Sequence, residues 1–185
     1  MRRVPVIAVV LVVAGLAART ALPETAVAPV VAERQASMKA MASAAKTISG
    51  IFDGKLAYDA AAFKAAVETI RRRSGIAMVD AFPTGSFGAS AANAKIEQSR
   101  EEFAALARHL ESLAAALSDA ADDAPDGITE AMRMKSGMAM GSSLLGKRAG
   151  GKADADPSKM PAEHMFHLML QDCTNCHAKF REKRR

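Results

Sequence analysis

The chain has 185 residues, of which 50% are hydrophobic, 24% charged and 4% aromatic, proportions that exclude a disordered or collagen-like polypeptide and fit one soluble domain. Its formal charge of +5 comes from Lys and Arg interspersed with acids and almost without aromatic neighbours, so it does not read as a nucleic-acid footprint. Trp is absent and Tyr58 is the single Tyr, so the apolar content lies in helix-favouring Ala and Met, which argues against a β-sandwich or barrel.

In chain order, Met1-Arg2-Arg3 is a positive start, Val4 to Ala18 is almost wholly apolar, and small residues follow at Gly15, Ala17 and Ala18. This is the layout of a cleaved export signal, expected over residues 1–21. The apolar run is about fifteen residues, short of the roughly 18–20 that a membrane-spanning helix needs. Export to the periplasm with no stable membrane association is therefore expected once the signal is removed. Cleavage there also removes most of the positive charge, leaving a mildly basic chain over 22–185.

Four segments of the mature chain carry helical periodicity. Arg34, Met38, Met41, Ala45, Ile48 and Phe52 recur at spacings of 4, 3, 4, 3 and 4 on one face, with Gly50 and Gly54 marking the end. Asp59 is placed to cap a second helix with inner positions Ala62, Phe63, Ala66, Val67 and Ile70, running toward Gly75 and broken at Phe82-Pro83-Thr84-Gly85-Ser86. Phe103, Leu106, Leu110, Leu113 and Leu117 line a third at spacings of 3, 4, 3 and 4, with His109 one place off the stripe and expected at the surface. A fourth begins near Pro161 and puts Phe166, Met169, Cys173, Cys176 and Phe180 on one face. Residues 122 to 160, rich in Gly and with Pro125 and Pro157, form a long, flexible insertion in which Ile128 to Leu145 could make a short helix. The predicted fold is all-α, an antiparallel up-down four-helix bundle with this insertion between the third and fourth helices.

The chemistry is concentrated in Cys173-Thr174-Asn175-Cys176-His177, the attachment signature of c-type haem. Two thiols three positions apart on a helical turn can add to the two vinyl groups on one edge of the porphyrin. The histidine that follows is then held at the iron as an axial ligand, in its neutral form. One haem c and its iron are the expected cofactors. The export signal agrees independently, because haem c is attached outside the cytoplasm. The competing readings, from another class, are a non-haem dithiol or a metal-binding helical protein. A thioredoxin-like pair expects its motif after a strand in a βαβ unit, and a zinc site would need to recruit His164 or His167 without a second pair of cysteines. His164, Met165, His167 and Met169 with Met132, Met134, Met138 and Met140 offer soft ligands for copper, but packing accounts for most of them. A nucleophile paired with a base is lacking outside the haem motif, so the protein is read as an electron carrier and not as an enzyme.

Arg34-Gln35-Ala36-Ser37-Met38-Lys39, Tyr58-Asp59-Ala60-Ala61, Phe82-Pro83-Thr84-Gly85-Ser86 and Cys173 to Arg181, in this order, resemble the class II c-type cytochromes, the cytochrome c′ and cytochrome c-556 family. The likeness runs from about Val30 to Arg181. It departs from the family in the length of the 122–160 connection and in Phe180, where a Tyr is common. The resemblance implies that Met38 faces the open side of the haem. Either its sulfur is the sixth ligand, opposite His177, in a carrier of single electrons between redox partner proteins, which is the reading taken here, or it packs over the ring and leaves a five-coordinate cytochrome c′ that binds NO or CO. Arg34, one turn before Met38, and Arg181, one turn after His177, can each reach a haem propionate. A homodimer is common in the resembling family.

Overall fold

The computed structural model describes residues 24–87, 90–135 and 157–182. The proposed export signal and residues 136–156 of the insertion lie outside them. Six α-helices follow in order: α1 (Glu24–Phe52), α2 (Ala60–Arg71), α3 (Gly75–Asp80), α4 (Lys95–Gln98), α5 (Arg100–Asp122) and α6 (Ala162–Phe180), with 3-10 turns at Glu130–Met132 and Pro157–Lys159. No strand occurs among the described residues.

The four long helices form the expected bundle. The α1–α2 turn brings Phe52 edge-on to Phe63, centroids 5.7 Å apart. Lys64 pairs with Asp122 between α2 and α5, and Phe103 meets Phe180 between α5 and α6. Each pairing joins one end of a helix to the opposite end of its neighbour, so successive long helices run antiparallel. The apolar stripes read from the sequence supply the core: Ile48, Phe63, Val67, Phe103, Leu113, Leu117, Met165 and Met169 are all but sealed from solvent. Of the inner positions expected for α2, Ala62 is exposed, while Phe63, Ala66, Val67 and Ile70 are buried.

Local chemistry sets the ends. Gly54, with φ +70°, turns the chain after α1, whereas Gly50 stays inside the helix. Asp59 caps α2 by accepting a hydrogen bond from the Ala62 N–H at 2.6 Å. The second helix does not run on through Gly75. Ser74 Oγ donates to the carbonyls of Ile70 and Arg71, Gly75 takes φ +56°, and the chain restarts as the short α3 against α5. A left-handed residue ends a helix cheaply only if it is Gly, and here a Cβ would also run into the Glu111 carboxylate.

The start of the insertion is not loose. Met132 is buried, Tyr58 donates to Ala124 O at 2.7 Å, and Arg133 donates to Phe52 O at 2.5 Å. These bonds pin Ala124 to the α1–α2 connection and Arg133 to the end of α1. Within the described part of Ile128 to Leu145 the only helix is the 3-10 turn at Glu130–Met132.

Helices α1 and α2, α2 and α5, and α5 and α6 pack along their lengths, while α1 and α6 make few contacts. They meet through Phe52 and Phe166, centroids 5.8 Å apart. Toward the other end they stand apart, and that gap holds the site.

Candidate haem site

A cavity of about 760 Å³ opens between α1 and α6, inside the usual range of roughly 300–1,000 Å³ for cofactor pockets. Met38, Met41, Ala42 and Ala45 line it from α1, Leu106, Ala107 and Leu110 from α5, and Met169, Cys173, Cys176 and His177 from α6. The wall is mainly apolar, and the alanines on α1 keep it wide. A second cavity of about 420 Å³ adjoins it, and Met38, Ala42, Cys176 and His177 line both. The helical period that places Cys173, Cys176 and His177 on neighbouring turns of α6 thus presents two thiols and an imidazole to one slot, with Met38 on the facing helix.

The environment suits these groups to a porphyrin. Cys173 and Cys176 are free thiols. Burial, with the Asp172 carboxylate second, pushes the Cys173 thiol up to about 11. Burial, then Cys173, then Asp172 push Cys176 to about 12. Both are therefore neutral, apolar neighbours. His177 is open to solvent where the cavities meet, yet the protein around it disfavours the imidazolium and the charge of Arg181 adds to this, so its pKa is lowered. Neutral imidazole is the form that binds iron.

The two arginines differ. Arg181 is exposed and lines the smaller cavity, its N–H donating to His177 O at 3.2 Å. Arg34 is 5% exposed. Its Nε donates to Ala81 O at 3.1 Å, Nη1 to Ser90 Oγ at 3.1 Å and Ser86 O at 3.5 Å, and Nη2 to Ser86 Oγ at 2.7 Å. The guanidinium also stacks 4.0 Å over the Phe82 ring. The expectation that it reaches a propionate meets a side chain already engaged with residues 81–90. That segment is joined in turn to α6, where Asn93 N–H donates to Phe180 O and Glu182 N–H to Ala91 O, both at 2.8 Å. Arg34 and the end of α6 thereby hold this segment from two sides, and Phe82, Ser90, Ala91 and Ala92 from it line the smaller cavity. Phe82 and Ser86 were visible in the sequence as a break, but their partner 48 and 52 residues earlier was not.

Sequence reasoning also missed a contact between α5 and α6. His109, expected at the surface, points its Nδ1 at Asp172 Oδ2, 2.5 Å away. Asp172 is 2% exposed and lines the larger cavity beside Cys173. The other candidates for metal chemistry do not assemble: Met132, Met165 and Met169 are core residues, Met138 and Met140 lie outside the described residues, and no group of three or more His, Cys, Asp or Glu suited to a metal occurs among those described. His164 is buried, and burial, with the neighbouring His167 second, lowers its pKa.

The family model for cytochrome C′ matches residues 29–142. The chain belongs to the cytochrome c′ family. A cytochrome c′ carries covalently attached haem c with its iron, as the CxxCH motif requires. The matched span stops before that motif, which lies beyond the insertion, so family model and motif are separate observations. Among solved structures, the chain resembles cytochrome c prime from Shewanella frigidimarina, with TM-score 0.56 and 20% identity over 85% of this chain and 97% of that one. It also resembles two variants of cytochrome c prime from Alcaligenes xylosoxidans, one a nitric oxide complex and one with bound carbon monoxide, each with TM-score 0.58, 23% identity and the same coverage. At these identities the likeness shows the cytochrome c′ four-helix fold. No curated protein matches the chain.

Proposed function

We propose that this cytochrome c′ holds its haem through thioether bonds from Cys173 and Cys176, ligates the iron with His177, and uses the apolar face beneath Met38 to bind a small neutral gas, NO or CO. The supporting observation is that both thiols, His177 and Met38 line one cavity between α1 and α6, two helices that make few contacts with each other. When bound, haem supplies an iron able to take a gas ligand or an electron. The chain's own side chains do the rest. Met38, Met41 and Ile70 give the cavity apolar side chains that offer a bound diatomic no hydrogen bond. Lys39 and Arg181 line the smaller cavity, which has no carboxylate on its wall, and suit the propionate end of the ring. The similar structures described with nitric oxide and carbon monoxide support the gas reading.

The second reading makes Met38 the sixth ligand of a carrier that passes single electrons between redox partner proteins. It draws on the place of Met38 beside His177 in both cavities. Export to the periplasm through residues 1–21 completes the proposal. No described helix is long and apolar enough to cross a membrane.

The test is a protein expressed in a host that attaches haem c. Its mass must exceed that of the polypeptide by one haem, with Cys173→Ser/Cys176→Ser losing the addition. A high-spin ferrous form that takes up CO without losing a protein ligand supports the gas reading. A low-spin form that turns high-spin only in Met38→Ala supports the electron carrier. Absence of covalent haem refutes both.

A further inference from the structure

Among the described residues Asp172 is the only buried carboxylate, and it faces the proposed haem cavity. It immediately precedes Cys173 and shares the wall with Cys173, Cys176 and His177. The other charged side chains on that wall are of a different kind: Asp53 and Lys55 pair with each other at 2.8 Å in an exposed turn, and Lys46 is exposed. Asp172 alone brings a charge in from the sealed side. A buried carboxylate is costly unless held, and packing alone would be served better by an apolar residue. Here the holder is His109, which reaches across from α5 with its Nδ1 2.5 Å from Oδ2. A carboxylate only accepts, so Nδ1–H is the donor.

We propose that Asp172 is a positioning residue which, held by His109, fixes a negative charge against the covalently attached edge of the haem and so lowers the reduction potential of the iron. The inference rests on the haem site proposed above. Its physics is direct: an anion fixed in a poorly polarisable interior favours the more positive, oxidised iron, and neighbouring charge is one of the levers by which a protein sets such a potential. His109 sets the angle of the carboxylate through the contact of its Nδ1 with Oδ2.

Spectroelectrochemical titration of the haem-loaded full chain at fixed pH tests this, with the pyridine haemochrome spectrum and a thermal melt run on each variant. Asp172→Asn keeps the shape and removes the charge. At a given electrode potential its ferrous to ferric ratio rises at least threefold, a shift of about 28 mV from 59 mV per tenfold for one electron. His109→Gln keeps a neutral donor beside the carboxylate, and its potential does not rise. A role in holding α5 to α6 alone would move both variants in the same direction, so a shared upward shift overturns the proposal, as does an Asp172→Asn potential equal to that of wild type. If Asp172→Asn does not accumulate, a rise in His109→Gln overturns it. Haem c present with unmoved potentials sinks only the charge role, whereas wild-type protein without haem c sinks the site itself.

Discussion

Arg34 offers the sharpest test of what the bundle does with its buried charge. Arg34→Met keeps the length of the stem and removes the guanidinium. Three hydrogen bonds at 2.7–3.1 Å are lost, at about 1 kcal/mol each. The contact 4.0 Å over Phe82 adds about 1 kcal/mol, and the 3.5 Å contact to Ser86 O adds little. Against this gross loss, the substitution recovers the cost of burying the cation, a cost that shows in its lowered pKa. The net loss is about 3 kcal/mol, or roughly two orders of magnitude in the unfolding equilibrium. Urea unfolding of the chain with and without haem measures it. Because every partner is a protein atom, the loss belongs to both forms. A double-mutant cycle with Phe82→Leu isolates the ring contact at about 1 kcal/mol. A loss under about 1 kcal/mol without haem, with the full loss once haem is attached, would refute the reasoning and make the propionate the partner of Arg34.

Three further outcomes follow from the same geometry. Gly75→Ala forces a left-handed alanine against Glu111 and lowers stability by about 1–2 kcal/mol, read as a lower urea midpoint with an unchanged slope; an unchanged midpoint contradicts the φ of +56°. Without haem, the folded chain resists alkylation: at pH 8 the thiolate fraction is about one in a thousand for Cys173 and one in ten thousand for Cys176, rising tenfold per pH unit. Mass spectrometry should therefore find Cys173 modified before Cys176, and both modified quickly in urea. His164 has a folded pKa below its ordinary 6.5, so its contribution to stability is intact above that value and is lost as the pH falls below it. Urea midpoints at pH 7.5 and 5.5 should differ less in His164→Leu than in the wild-type chain, and an equal difference contradicts the linkage.

Much of this was legible in one dimension. Phe103, Leu106, Leu110, Leu113 and Leu117 declare their helix because five large apolar residues at alternating spacings of 3 and 4 cannot share any other surface. Cys173, Cys176 and His177 were equally plain, since their chemistry depends on spacing within a single turn. What stayed hidden depends on register between helices. His109 and Asp172 are 63 residues apart, and only the antiparallel pairing that sets Phe103 against Phe180 brings them level. Arg34 was read as able to reach a haem propionate, and nothing local pointed to Ser86 and Ser90. The break after α2 was missed because Ser74 and Gly75 interrupt a pattern that otherwise continues into Met78.

The long connection between α5 and α6 becomes intelligible from its two moorings. Arg133 ties its beginning both to Phe52 O and to Glu163 in the first turn of α6, where Met134 N–H also donates to Glu163 Oε2 at 2.8 Å. Entry and exit are thus stapled at the foot of the bundle, where Phe52 touches Phe166. From Glu163 to His177 is fourteen residues of helix, about 21 Å. The molecule is divided into an anchoring end and a working end, and extra chain spliced in at the first leaves the spacing of Met38 and His177 at the second to be set by α1 and α6 alone.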